Sequence, residues 1–102
     1  MNIGVISTGR TAVLSAIEQE ILKGNIRHDL KLSSKYYDDV MWGRKRFELR
    51  KNDRDYRVGD TFVLREYNNG QYTGRYFIQV IGYILKDCPQ FGLMDGYCIF
   101  GW

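Results

Sequence analysis

Proline, histidine and cysteine are nearly absent from this chain of 102 residues, which has one proline, Pro89, one histidine, His28, and two cysteines, Cys88 and Cys98. With a single histidine and no Cys-x-x-Cys spacing, no zinc site assembles from recognised ligand patterns, so neither a metal nor a cofactor is expected. One cysteine pair reads as two separate thiols rather than a bridge, in keeping with a cytoplasmic protein. Long hydrophobic runs are missing as well. The longest, Phe77 to Leu85, is interrupted by Gln79 and Gly82 and is far short of a membrane span, so no membrane partner is expected. The start, Met1 to Arg10, lacks a basic segment followed by an apolar run and a cleavage site, which argues against secretion. At 102 residues there is room for one globular core and none for separate cofactor and substrate domains. With 44% hydrophobic and 26% charged residues, the composition is that of a folded domain rather than a disordered one.

Aromatic residues, in contrast, are plentiful. Eight tyrosines, five phenylalanines and two tryptophans favour pleated, half-buried surfaces, hence a small β-rich domain. The 3.6-residue spacing of Val13, Ala16, Ile17, Ile21 and Leu22 predicts a helix over Thr11 to Lys23, capped by Thr11 and ended by Gly24. Leu30 and Leu32 alternate in a strand from His28 to Leu32. Ser33 or Ser34 then caps a second helix over Lys35 to Trp42, with Tyr36, Val40, Tyr37 and Met41 inward and Gly43 at its end. Phe47 and Leu49 alternate with Arg46, Glu48 and Arg50, which predicts a strand whose apolar side enters the core. A strand over Thr61 to Tyr67 follows. Asn68-Asn69-Gly70 signals a hairpin leading into a long strand, Tyr72 to Leu85, bent at Gly74 and Gly82. A loop, Lys86 to Gly96, precedes a last strand, Tyr97 to Trp102. The sum is an α+β, mainly β fold: five or six antiparallel strands in a small, partly closed β-barrel, with a helix after the first strand and an extra N-terminal helix. The expected division is residues 1–27 as an N-terminal extension and 28–102 as the barrel.

Charge is unevenly placed. Between Arg44 and Arg57 seven cations (Arg44, Lys45, Arg46, Arg50, Lys51, Arg54, Arg57) stand against Glu48, Asp53 and Asp55, a local +4 on a chain whose total is +3. Such a segment on a nearly neutral body suits a polyanion site, the alternative being a solvated loop of internal ion pairs. Gly4 to Thr11 matches the spacing of a phosphate-binding loop with Arg10 in place of lysine. Only three residues precede Gly4, too few for the buried strand such a loop follows, so the segment reads as a lead into the helix. Neither cysteine neighbours an obvious base, and His28 is expected to hydrogen-bond at a strand end.

The segment Gly43-Arg44-Lys45-Arg46-Phe47-Glu48-Leu49-Arg50 resembles the G-x-K-x-x-E-x-R signature of ASCH domains, small β-barrels of the PUA-like superfamily. Gly43, Lys45, Glu48 and Arg50 match at all four places. Glu48 to Arg54, Val58-Gly-Asp60, Leu64-Arg-Glu-Tyr67 and Tyr72-Thr-Gly-Arg75 are similar to a small bacterial and prophage branch without assigned function, and the resemblance covers His28 to Trp102. It implies a PUA-like barrel whose cleft, between the domain's first helix and its strands, holds RNA or a nucleotide through Tyr36, Gly43, Lys45, Glu48, Arg50, Lys51 and Arg54. Glu48 then either orients Lys45 and Arg50 or accepts from a base amine, unless Glu48 and Arg50 simply pair to hold the wall. A related enzymatic branch hydrolyses the amide of acetylated cytidine with a lysine, a threonine and a distal glutamate. Lys45 matches the lysine, but Glu48 stands where that branch has threonine, and the 86–96 loop is too short for the helix carrying the distal carboxylate. An amidohydrolase using Lys45 and Glu48 is therefore the alternative. A protein-interaction module, docking a partner or a second copy through residues 11–23, is another.

Overall fold

The structure, a computed structural model, describes residues 15–102. The expected cap at Thr11 and the loop-like Gly4 to Thr11 lie outside those residues. In chain order the elements are α1 (Ala16–Leu22), β1 (His28–Ser33), α2 (Ser34–Met41), β2 (Phe47–Lys51), β3 (Thr61–Asn68), β4 (Gln71–Val80), β5 (Tyr83–Lys86), a 3-10 turn (Pro89–Phe91) and β6 (Tyr97–Gly101). The fold is α+β and mainly β. None of these helices is long and apolar enough to cross a membrane.

Three expectations about the sheet are corrected. The six strands do not close one barrel; they form two three-stranded sheets, β1-β3-β4 and β2-β6-β5. The single long strand expected from Tyr72 to Leu85 is two strands in different sheets, divided at Ile81 and Gly82. At that division Ile81 N–H donates to the Asp60 carbonyl at 2.9 Å and Gly82 N–H to the Gly101 carbonyl at 2.7 Å, so pairing passes from one sheet to the other within two residues. Nor is the pairing antiparallel throughout, because β1 runs parallel to β3, His28 opposite Phe62 and Ser33 opposite Tyr67. Parallel neighbours need a crossover, and here α2 and β2 supply it.

Local signals explain the element boundaries. Ser15 and Glu18 form a reciprocal capping box, Ser15 N–H to Glu18 Oε1 at 2.9 Å and Glu18 N–H to Ser15 Oγ at 3.1 Å, so α1 is capped by Ser15 and packs on β4. At α2, Ser33 Oγ accepts from Lys35 N–H at 3.3 Å. The inward stripe of α2 is Tyr37, Val40 and Met41; Tyr36, expected inside, lies about 100° off that stripe and is 41% exposed. Asn69 and Gly70 both take positive φ, 51° and 80°, and close the β3–β4 hairpin as the Asn-Gly pair predicts.

The core joins the two sheets through aromatic rings. Phe100 of β6 lies 5.0 Å from Phe62 of β3 and 5.0 Å from Tyr56, while Trp102 lies 5.1 Å from Phe62 and 5.5 Å from Phe77. Cys88 and Cys98 are buried free thiols, and burial pushes the Cys98 thiol up. His28 opens β1 with Nε2 2.7 Å from Asp60 Oδ2, the strand-end hydrogen bond expected of it, and its ring lies 4.6 Å from Tyr56.

Candidate functional site

Gly43 begins the site by ending α2. Its φ of 79° is a conformation glycine takes without the penalty a Cβ brings, and its N–H donates to the Val40 carbonyl at 3.1 Å. Arg44 and Lys45 N–H groups then both donate to the Asp39 carbonyl, at 2.8 and 2.9 Å, which turns the chain into β2.

β2 overturns the expectation for its faces. Its register with β6 sets Glu48 opposite Phe100 and Arg50 opposite Cys98, and directly opposed residues share a face. Since Phe100 and Cys98 are core residues, Glu48 and Arg50 point inward, with Glu48 only 4% exposed. Phe47 and Leu49, expected in the core, face outward at 47% and 57% exposure. A one-residue difference in phase exchanges every side chain between the faces, and here the polar set went in.

Glu48 and Arg50 form an ion network with Lys45. Lys45 Nζ pairs with Glu48 Oε2 and also donates to the Phe47 carbonyl at 2.7 Å. Arg50 reaches Glu48 Oε1 with Nε at 3.0 Å and Nη2 at 2.8 Å, and Nη2 donates as well to the Lys31 carbonyl at 2.7 Å. Two residues back along β1, Arg54 Nη1 donates to the Asp29 carbonyl at 3.3 Å. β1 is an edge strand, and these two arginines donate to carbonyls two residues apart along it. Glu48, Lys45 and Arg50 thus clamp β2 to the β1 edge, joining sheets that share no strand.

Above the clamp lies a groove of about 570 Å³ between the start of α2 and β2, lined by Lys31, Tyr36, Lys45, Phe47, Leu49 and Lys51 among others. Lys45 Nζ stands 5.5 Å from the Tyr36 ring centre and 4.9 Å from that of Phe47, a cation flanked by two exposed rings. Lys51 is exposed and forms no ion pair among the described residues. Of the residues expected at the site, Tyr36, Lys45, Glu48, Arg50 and Lys51 line this groove, and Gly43 shapes the turn behind it. Arg54 does not line it; it opens instead on a second pocket with Arg27, His28, Asp55, Arg57 and Asp60. Lys31, Phe47 and Leu49 were missing from the expected site. Phe47 and Leu49 reach the groove only because the register with β6 turns Glu48 and Arg50 inward, and Lys31 lies on β1, outside the signature.

A second network carries no local mark in the sequence. The β3–β4 pairing shifts register between Arg65 and Tyr67 and buries Glu66. Arg75 binds it with Nε at 2.8 Å to Oε1 and Nη2 at 2.9 Å to Oε2, and Thr73 donates to Oε1 at 2.6 Å. These hydrogen bonds, from Arg75 above all, outweigh burial and hold the Glu66 carboxyl down at about 2, against an ordinary 4.5. The Arg75 guanidinium also lies 4.5 Å from the Tyr37 ring, whose phenol burial pushes up to about 12. A carboxyl lowered on folding adds stability that is fully present above its ordinary value and is lost as pH falls towards its folded one. Glu66→Gln is therefore expected to be less stable than the parent near neutral pH by about 1.5–3 kcal/mol, the scale of hydrogen bonds to charged groups. The gap should shrink between pH 4.5 and 2. Urea midpoints across that range decide it, and a gap independent of pH would refute the assignment.

Among the described residues no three histidine, cysteine, aspartate or glutamate side chains converge as a metal site. Over 48 residues the chain is 52% identical to the "Uncharacterized 12.9 kDa protein in GpA 3'region" of Escherichia phage P2, a match spanning 47% of this chain and 44% of the phage protein. Residues 27–102, from just before β1 to the last residue, match the family described as "Domain of unknown function (DUF3850)", and the chain belongs to that family.

Proposed function

We propose that this chain is a nucleic-acid- or nucleotide-binding module of the ASCH type, its two sheets an opened form of the PUA-like barrel, with the ligand in the groove between α2 and β2. The observation that carries this reading is the pair of exposed rings, Tyr36 and Phe47, either side of Lys45. Exposed aromatic faces beside cations are what unstacked bases bind, through stacking and phosphate attraction together. Outward Leu49 extends the apolar floor, and Lys31 and Lys51 supply charge at the rim. Lys45 serves both the clamp and the groove, whereas Glu48 and Arg50 act through position by fixing β2 against β1.

Phe47→Ala removes a stacking surface without touching the clamp. It should weaken binding of a labelled single-stranded oligoribonucleotide by about tenfold, within the range for one base–aromatic stack. Stability should move by no more than about 0.5 kcal/mol, as for exposed positions. Fluorescence anisotropy alongside urea melts measures both. Unchanged affinity would remove the groove from the binding surface. The hydrolase alternative rests on the adjacency of Lys45 and Glu48 in the same groove. Release of acetate from acetylated cytidine, abolished by Lys45→Ala, would establish it in place of simple binding.

A further inference from the structure

A second concentration of cations lies outside the groove. Arg27, Arg54 and Arg57 converge with His28, Asp55 and Asp60 on a pocket of about 410 Å³. Both carboxylates there are engaged already. Asp55 takes two bonds from Arg57, at 3.1 and 2.7 Å. Asp60 is paired with His28 Nε2 at 2.7 Å and accepts the Arg57 N–H at 3.1 Å. Arg54 gives one bond to the Asp29 carbonyl, and Arg27 forms no ion pair among the described residues. Two guanidiniums without a carboxylate, set beside a third, favour an oxyanion between them, since a fork of N–H donors matches its geometry.

The pocket and the groove stand at opposite ends of one strand edge. His28 at the start of β1 lines the pocket, and Ser33 at its end lines the groove. Five residues of strand separate them, roughly 17 Å. Between them Arg54 and Arg50 sit on the carbonyls of Asp29 and Lys31, a spacing of about 7 Å along the edge. The clamp that joins the sheets therefore also lays a row of positive charge from one cavity to the other.

We infer that the ligand is a nucleic-acid strand of about four or more nucleotides rather than a free nucleotide. Its bases occupy the groove at Tyr36 and Phe47, its backbone follows the β1 edge, and the Arg27–Arg54–Arg57 pocket takes a phosphate. This rests on the reading of the groove given above. A free nucleotide is too short to fill both cavities at once, so with its base in the groove it gains nothing from Arg27.

The test compares fluorescein-labelled random-sequence oligoribonucleotides of two and eight nucleotides by anisotropy over a series of salt concentrations. The octamer should bind at least about tenfold more tightly than the dinucleotide and lose affinity more steeply with salt, since each added phosphate contact contributes about −0.7 to the logarithmic slope. Arg27→Ala should weaken octamer binding about fivefold and flatten the slope by about 0.7, leaving the dinucleotide unchanged, while Arg27→Lys keeps the slope. Equal affinities for the two probes, or octamer binding indifferent to Arg27→Ala, would overturn the inference and leave groove binding in place. No binding of either probe would overturn both readings.

Discussion

Arg50→Ala should cost about 3–5 kcal/mol of stability, because it leaves a buried carboxylate short of its main partner. Arg50 gives two bonds to Glu48 Oε1 and a third to the Lys31 carbonyl, so its loss takes the donors from both at once. Lys45 remains on the other oxygen and softens the loss without replacing the fork. Arg50→Lys keeps the charge and is expected to recover less than half, since an ammonium cannot serve Glu48 and the carbonyl in the same planar geometry. The whole fold is worth about 5–15 kcal/mol, so urea melts of Arg50→Ala belong at low temperature, with Arg50→Lys as the folded comparison. A loss below about 1 kcal/mol in Arg50→Ala would place it with ordinary surface pairs and dissolve the clamp. Because Arg50 is largely covered, its charge reaches a ligand along the β1 edge and not as a free side chain, which makes a stability change the first consequence of removing it.

How far the sequence could be read follows from the range over which each signal acts. Signals contained within a few residues were legible: the serine cap on α2, the Asn69-Gly70 hairpin and the helix stop at Gly43. Alternation in β2 was legible as alternation but not in phase. Phe47 and Leu49 outvote Glu48 and Arg50 on hydrophobicity alone, and only the register with Phe100 and Cys98 on a strand some fifty residues away inverts the choice. The division of the expected Tyr72–Leu85 strand is hidden for the same reason, since Ile81 and Gly82 look like strand until Asp60 and Gly101 claim their amides. Glu66 and Arg75 carry no local mark at all, because their meeting depends on a register shift in the β3–β4 hairpin. For the site, the signature brought Tyr36, Lys45, Glu48, Arg50 and Lys51 to one groove, but it carried no information on which atoms were already spent. Arg54 illustrates the difference: four residues beyond Arg50 it serves the same edge and opens on another cavity.

Phe100→Ala is expected to cost about 3–5 kcal/mol, the range for emptying a fully buried phenylalanine site that cannot collapse. Its ring is completely covered and touches Phe62 across the interface between the sheets, with Tyr56 and Trp102 on either side. β6 is the central strand of one sheet and β3 of the other, so the cavity would open where neither sheet can shift towards it without breaking a ladder on both sides. At roughly 4–8 °C per kcal/mol for a domain of this size, the melting temperature should fall by some 20 °C. Phe91→Ala is the control: that ring is 84% exposed and should change stability by no more than about 0.5 kcal/mol. Phe100 also lies opposite Glu48, so its loss loosens the inward face of β2 from below while Arg50→Ala loosens it from the side. The two substitutions should therefore not add, with a coupling of at least about 0.5 kcal/mol in a double-mutant cycle. Strict additivity would mean that the clamp and the aromatic core hold the sheets together independently, and the groove would then owe its shape to the clamp alone.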